Sequence, residues 1–200
     1  MITAALPTKL GGLDLHVLYI TTVQKFPDRR LDQLLSYYNF SKSETDEIYS
    51  KFHIERMEFK EFDNFLSNID SYLFKNKIGL VIIDSITGVA DVQFIKDNNE
   101  VDYISRAQFL KRILPSFKEM IFKHNLFFLV TNNMSTRINT GKNAPNLGLI
   151  WENGINTRII LMKNIDRVIE INFSNFMEKR NANFIINNQG IAINKFISSE

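Results

Sequence analysis

Cysteine is absent from this chain of 200 residues, which excludes disulfide scaffolds, cysteine nucleophiles and thiolate zinc sites. The absence also fits a reducing compartment. Histidine is scarce: the 3 present, His16, His53 and His124, are scattered without the spacing of a metal-binding helix and show no chemical partner in the sequence. A structural role is expected for each. Neither charge sign dominates, with 24 Lys and Arg against 22 Asp and Glu and a net charge of +2. That balance excludes a histone-like basic binder and an acidic disordered tail, so any nucleic-acid contact has to be local. Long apolar runs are lacking too. The best candidates, Ile78–Ile86 and Leu126–Val130, fall far short of the roughly 20 residues a membrane span needs, and the chain reads as soluble. Met1–Gly12 is short, broken by Pro7 and closed by Gly11 and Gly12, which is not the pattern of a targeting segment.

What the sequence does contain is 44% apolar and 12% aromatic residues, enough for a substantial core in one ordinary domain or at most two small ones. Short β-type runs alternate with helical patterns, the signature of a mostly parallel sheet with crossover helices. Strands are predicted at His16–Thr22, Phe52–Met57, Gly79–Asp84 and Leu126–Thr131, and the third, a continuous apolar run, reads as covered on both faces. Helices are predicted at Asp28–Tyr38, with Asp28 as N-cap, over Phe59, Phe62, Phe65, Leu66, Ile69 and Leu73, and from Ser105 onward through Ala107, Leu110, Leu114, Phe117 and Ile121. Pro115 lies inside the last, where a kink or two abutting helices is expected. Polar stretches at Asp91–Asp102 and Met134–Leu147 read as irregular. Consecutive strands at Thr157–Lys163, Arg167–Phe173, Asn183–Ile186 and Ile191–Phe196, with turns at Asn164 and Asn188–Gly190, predict an antiparallel end to the sheet.

In open α/β sheets ligands bind beyond the carboxyl ends of the strands. Three polar strand ends are found there: Thr21 with Thr22, Asp84 with Ser85, and Thr131 with Asn132 and Asn133. Asp84 is the sharpest signal, because a carboxylate ending a wholly apolar strand is costly unless paired or bound to a cation. The functional reading is a magnesium role, direct or through water; the structural one is a cap on the following turn.

The runs GGLDLHVLYITT, FPDRRLDQLL, LVIIDSITG, SRAQFLKRILPSFKEM, LVTNNMSTRI and PNLGLIWENGINTRIILMK, in this order, resemble the ATPase core of the RecA-type recombinases, and among them the eukaryotic recombinase paralogues. FPDRRLDQL and LVIIDS favour the X-ray-repair cross-complementing type, and TNNMSTRI the type that partners it. The resemblance implies one RecA-like P-loop NTPase core over residues 1–200, incomplete at its N-terminal side, with ATP and magnesium as cofactors. Asp84, on the Walker B strand, would orient magnesium with Ser85 beside it, and Asn132 and Asn133 would stand where the family's sensor motif ends in Asn-Gln. Val23 occupies the place of the family's water-activating glutamate, and a valine neither accepts a proton nor orients a water. No G-x-x-x-x-G-K-[ST] occurs in the sequence, and Met1–Leu10 matches the end of the helix that follows such a loop. ATP binding and hydrolysis are therefore both in question.

By the same resemblance, the two polar stretches face DNA. The first carries Asp91, Asp97, Glu100 and Asp102 against Lys96 alone and should repel phosphate; the second carries Arg137 and Lys142 without an acid, so these two are the DNA-binding candidates. The alternative for the second is an ordinary solvated loop. The implied function is an accessory paralogue in homologous recombination and DNA double-strand break repair. It would be nuclear, partnered by other paralogues and the main recombinase, act on single-stranded or branched DNA, and have weak or no ATP hydrolysis. Two other readings remain: part of a working DNA-dependent ATPase, and a phospho-receiver domain with Asp84 as acceptor, which would need further acids at an earlier strand end.

Overall fold

The computed structural model describes residues 1–90, 92–95, 100–136, 143–163 and 165–197. The chain forms two compact units, one of Met1–Pro27 with Ser41–Asn153, the other of Asp28–Phe40 with Gly154–Glu200.

The first unit is built on a parallel sheet. After a short helix α1 (Ile2–Ala5) comes β1 (His16–Thr21), whose Val17, Leu18 and Ile20 are buried. Helix α2 (Asp28–Ser36) belongs to the second unit, and the chain re-enters the first with α3 (Lys42–Ser50), β2 (Phe52–Arg56), α4 (Phe59–Lys75) and β3 (Ile78–Asp84). Then follow α5 (Ile86–Ala90), α6 (Tyr103–His124) and β4 (Phe127–Val130). The strand order is β2-β1-β3-β4 with every pair parallel, so all carboxyl ends lie on one edge, as the alternation of strand and helix patterns predicts.

Helix α3 was not anticipated, although Ser41 and Glu44 form a reciprocal capping box at its start. Helix α6 runs unbroken through Pro115 rather than dividing in two; Leu114 and Phe117 on either side of the proline are both buried, so packing holds the turn that lost its backbone donor. Phe62 is fully buried, and Phe59 packs its ring against Phe94 and Phe109. The histidines have partners that the sequence does not show, and their expected structural role is not contradicted. His16 Nδ1 lies 3.2 Å from His53 Nε2, and His124 Nε2 lies 2.7 Å from the Asp70 carboxylate, partners far apart in sequence. The flanks of the second polar stretch are also more ordered than expected: β5 (Met134–Thr136) and β6 (Asn143–Pro145) pair antiparallel before α7 (Gly148–Gly154), where Trp151 is buried. In the first stretch, Asp102 caps α6 by accepting from the Ser105 amide.

In the second unit β7 (Thr157–Lys163), β8 (Arg167–Ser174), β9 (Asn181–Asn187) and β10 (Gly190–Ile197) form an antiparallel sheet of their own, in the order β10-β9-β8-β7. Helix α2 is tied to its β9–β10 turn, Arg30 donating to the Asn187 carbonyl at 2.6 Å and Gln33 to Asn188 Oδ1 at 3.0 Å. Among the described residues no helix is long and apolar enough to cross a membrane.

Candidate functional site at the strand ends

Parallel pairing brings the three polar strand ends together. Thr21 of β1 stands opposite Asp84 of β3, and the last β3–β4 pair, Ile83 with Val130, puts Thr131 beside Asp84 on the other side. The Asp84 carboxylate is half-buried and accepts two hydroxyl hydrogen bonds, from Tyr19 to Oδ2 and from Thr131 Oγ1 to Oδ1 at 2.6 Å. No cation among the described residues pairs with it. Burial first, and then the neighbouring Asp84, push the Tyr19 phenol well above its usual pKa, so it remains a donor at neutral pH.

Ser85 is buried and held by Thr22, whose Oγ1 donates to the Ser85 carbonyl at 2.6 Å and accepts from its amide at 3.1 Å. Val23 follows and is mostly exposed, at 56%. It rests on Gly88 of α5, where a Cβ would stand 2.4 Å from both Val23 Cγ2 and Thr22 Oγ1, so this approach requires glycine. Asn132 is not directed at a free ligand position alone. Its Oδ1 accepts from Thr87 Oγ1 at 2.9 Å and its Nδ2 donates to the Asn146 carbonyl at 2.9 Å, joining the start of α5 to the turn between β6 and α7. The Asn133 amide donates to Thr87 Oγ1 at 3.1 Å, and its side chain is exposed. Tyr19, Thr87 and Asn146 escaped sequence reading, because each acts on a partner in another element. Arg137 and Lys142 lie outside the described residues.

The donor set suits magnesium in a particular way. Among the described residues no group of three or more His, Cys, Asp or Glu could hold a metal ion by itself. Magnesium, however, is commonly held by one or two carboxylates with phosphate oxygens and water completing the shell, and an uncompensated carboxylate ringed by hydroxyls fits that mode. The acid cluster required of a phospho-receiver is not found among the described residues.

A parallel α/β sheet with its polar groups gathered on the carboxyl edge defines the class: an open-sheet domain whose ligand site lies at the strand ends. Within that class the chain belongs to the Rad51 family, whose model matches residues 1–194. Relatives include the DNA repair protein XRCC3 homolog of Arabidopsis thaliana, 22% identical over 82% of this chain and 63% of that protein. DNA repair protein rhp57 of Schizosaccharomyces pombe is 24% identical over 80% of this chain and 57% of its own length, and human DNA repair protein RAD51 homolog 2 is 25% identical over 80% and 49%. The chain thus spans about half to two thirds of the curated relatives it matches. Family membership agrees with the RecA-like core and the paralogue resemblance read from the motifs.

Proposed function

We propose that the chain is the core of an accessory Rad51-type protein in recombination and DNA double-strand break repair. It works in the nucleus, assembled with other paralogues and the main recombinase on single-stranded or branched DNA. The observation that carries this reading is the strand-end site, where Asp84 stands uncompensated by any described cation; by the motif resemblance, Val23 stands where the family has its glutamate. Asp84, with Ser85 next to it in the chain, would hold magnesium, which when bound supplies charge neutralisation for a nucleotide's phosphates. The chain's own residues orient the carboxylate, and none at position 23 activates water, so hydrolysis is weak or absent. Asn132 ties the site to the turn that follows β6, and Arg137 and Lys142, between β5 and β6 in the sequence, are assigned to phosphate contact.

Affinity capture of the tagged protein from its own nuclei tests the assembly: recovery of other recombinase-type proteins is expected, and their absence would overturn the reading. The competing reading is a working ATPase of which these residues are part. MgATP turnover by the longest natural form at the rate of an ordinary recombinase would establish it in place of the accessory role. If Arg137 and Lys142 both contact phosphate, replacing them with alanine lowers the slope of log K against log salt by about 2. An unchanged slope removes them from the DNA interface.

A further inference from the structure

We propose that Tyr19 is a positioning residue that fixes the Asp84 carboxylate and thereby sets how tightly it holds a divalent cation. The inference rests on the cation role given to Asp84 above. Residues two apart on a strand share a face, so Tyr19 lies on the same face of β1 as Thr21, which is paired with Asp84. Its hydroxyl reaches Oδ2 from one neighbouring strand, while Thr131 reaches Oδ1 from the other side. One hydroxyl per oxygen removes the carboxylate's freedom to rotate and leaves a further lone pair on each oxygen. The tyrosine is fixed in turn: its ring meets Phe26 edge-on, with centroids 4.9 Å apart and planes at 78°. Both donors are neutral, so they orient the charge of Asp84 without cancelling it.

Groups that hold a metal ligand by hydrogen bonds govern affinity through preorganisation, and their loss typically costs about tenfold or more. Tyr19→Phe isolates this role, because the ring and its contact with Phe26 remain and only the O–H is removed. The test is a titration of the chain with Mn2+ alone, free ion counted by electron paramagnetic resonance, alongside thermal unfolding of the metal-free protein. Asp84→Asn is expected to abolish binding, and Tyr19→Phe to weaken it about tenfold at an unchanged melting temperature. Thr131→Val should weaken binding in the same direction, and it decides the question should Tyr19→Phe fail to fold. Unchanged Mn2+ affinity in the phenylalanine variant, with loss in Asp84→Asn, overturns the positioning role and leaves the cation reading standing. Undiminished binding by Asp84→Asn overturns the cation reading itself.

Discussion

The two ends of the parallel sheet treat charge in opposite ways. At the amino ends of the strands the buried ammonium of Lys51 is answered from within the chain. Lys51, only 7% exposed, places Nζ 2.5 Å from Asp14 Oδ1 and 3.4 Å from both Glu47 Oε1 and the Ala5 carbonyl. The Asp14 hydrogen bond outweighs the burial that disfavours the Lys51 charge and, with Glu47, raises its pKa, while the Lys51 ammonium holds the Asp14 carboxyl below its usual range. At the carboxyl ends, Asp84 is met by the hydroxyls of Tyr19 and Thr131. The contrast separates two meanings of a polar residue in a core: one whose charge is neutralised serves the fold, and one merely oriented retains its charge for something beyond the chain.

Exchanging charge for neutrality at each end gives the largest expected difference. Lys51→Ala removes charge-assisted hydrogen bonds and a buried stem, and should lower unfolding free energy by about 2 kcal/mol in urea titrations at constant slope. Asp84→Asn should leave stability within about 0.5 kcal/mol of the parent or raise it, because functional groups are commonly held at a cost to the fold. Equal losses in the two variants would erase the distinction between the ends.

A smaller effect is expected from pH, again at the amino ends. Partial burial, and then the charges of His53, Lys51 and Lys77, hold His16 below the usual histidine pKa, with Asp14 opposing. His53 also meets the Tyr72 ring, whose hydroxyl donates to Glu55. Because the folded pKa is the lower one, the unfolded chain takes up its proton first as pH falls below about 6.5. Stability contributed by neutral His16 is therefore present above that value and lost as pH falls toward the folded pKa. Urea midpoints measured from pH 7.5 to 5 should decline in the parent and decline less in His16→Asn. Asp70, depressed by Lys123 and His124, acts in a separate window below about pH 4. A parent midpoint indifferent to pH across the first window would place His16 outside this balance.

The carboxyl-end site was the more legible of the two. An apolar run ending abruptly in Asp84 is a local signal, and parallel strands place Thr21, Asp84 and Thr131 side by side once the sheet is inferred. What remained hidden depends on distance along the chain. The His16–His53 contact joins residues 37 apart and the His124–Asp70 contact residues 54 apart, with no pattern to announce either. Tyr19 read as one more strand residue, since its hydroxyl is useful only where β1 and β3 are neighbours. Helix α3 is different: the Ser41 and Glu44 capping box was present in the sequence, but the helix carries a single buried residue, Ile48, and so lacked the apolar period that identified α4 and α6.

Val23 gives the smallest structural effect and tests what the comparison says about chemistry. Its side chain is mostly exposed, with only its inner side against Gly88 of α5, so Val23→Glu should change stability by no more than about 0.5 kcal/mol. An acid placed there is free to orient water beside an Asp84 already fixed by Tyr19 and Thr131. In the longest natural form, MgATP turnover is accordingly expected to rise in Val23→Glu above a parent that is weak or inactive. Were the parent already active and the glutamate without effect, the missing acid would be supplied by another residue. Were both inactive although nucleotide is bound, the limitation would lie in how the phosphates are held, and Val23 would be a consequence of lost hydrolysis rather than its cause.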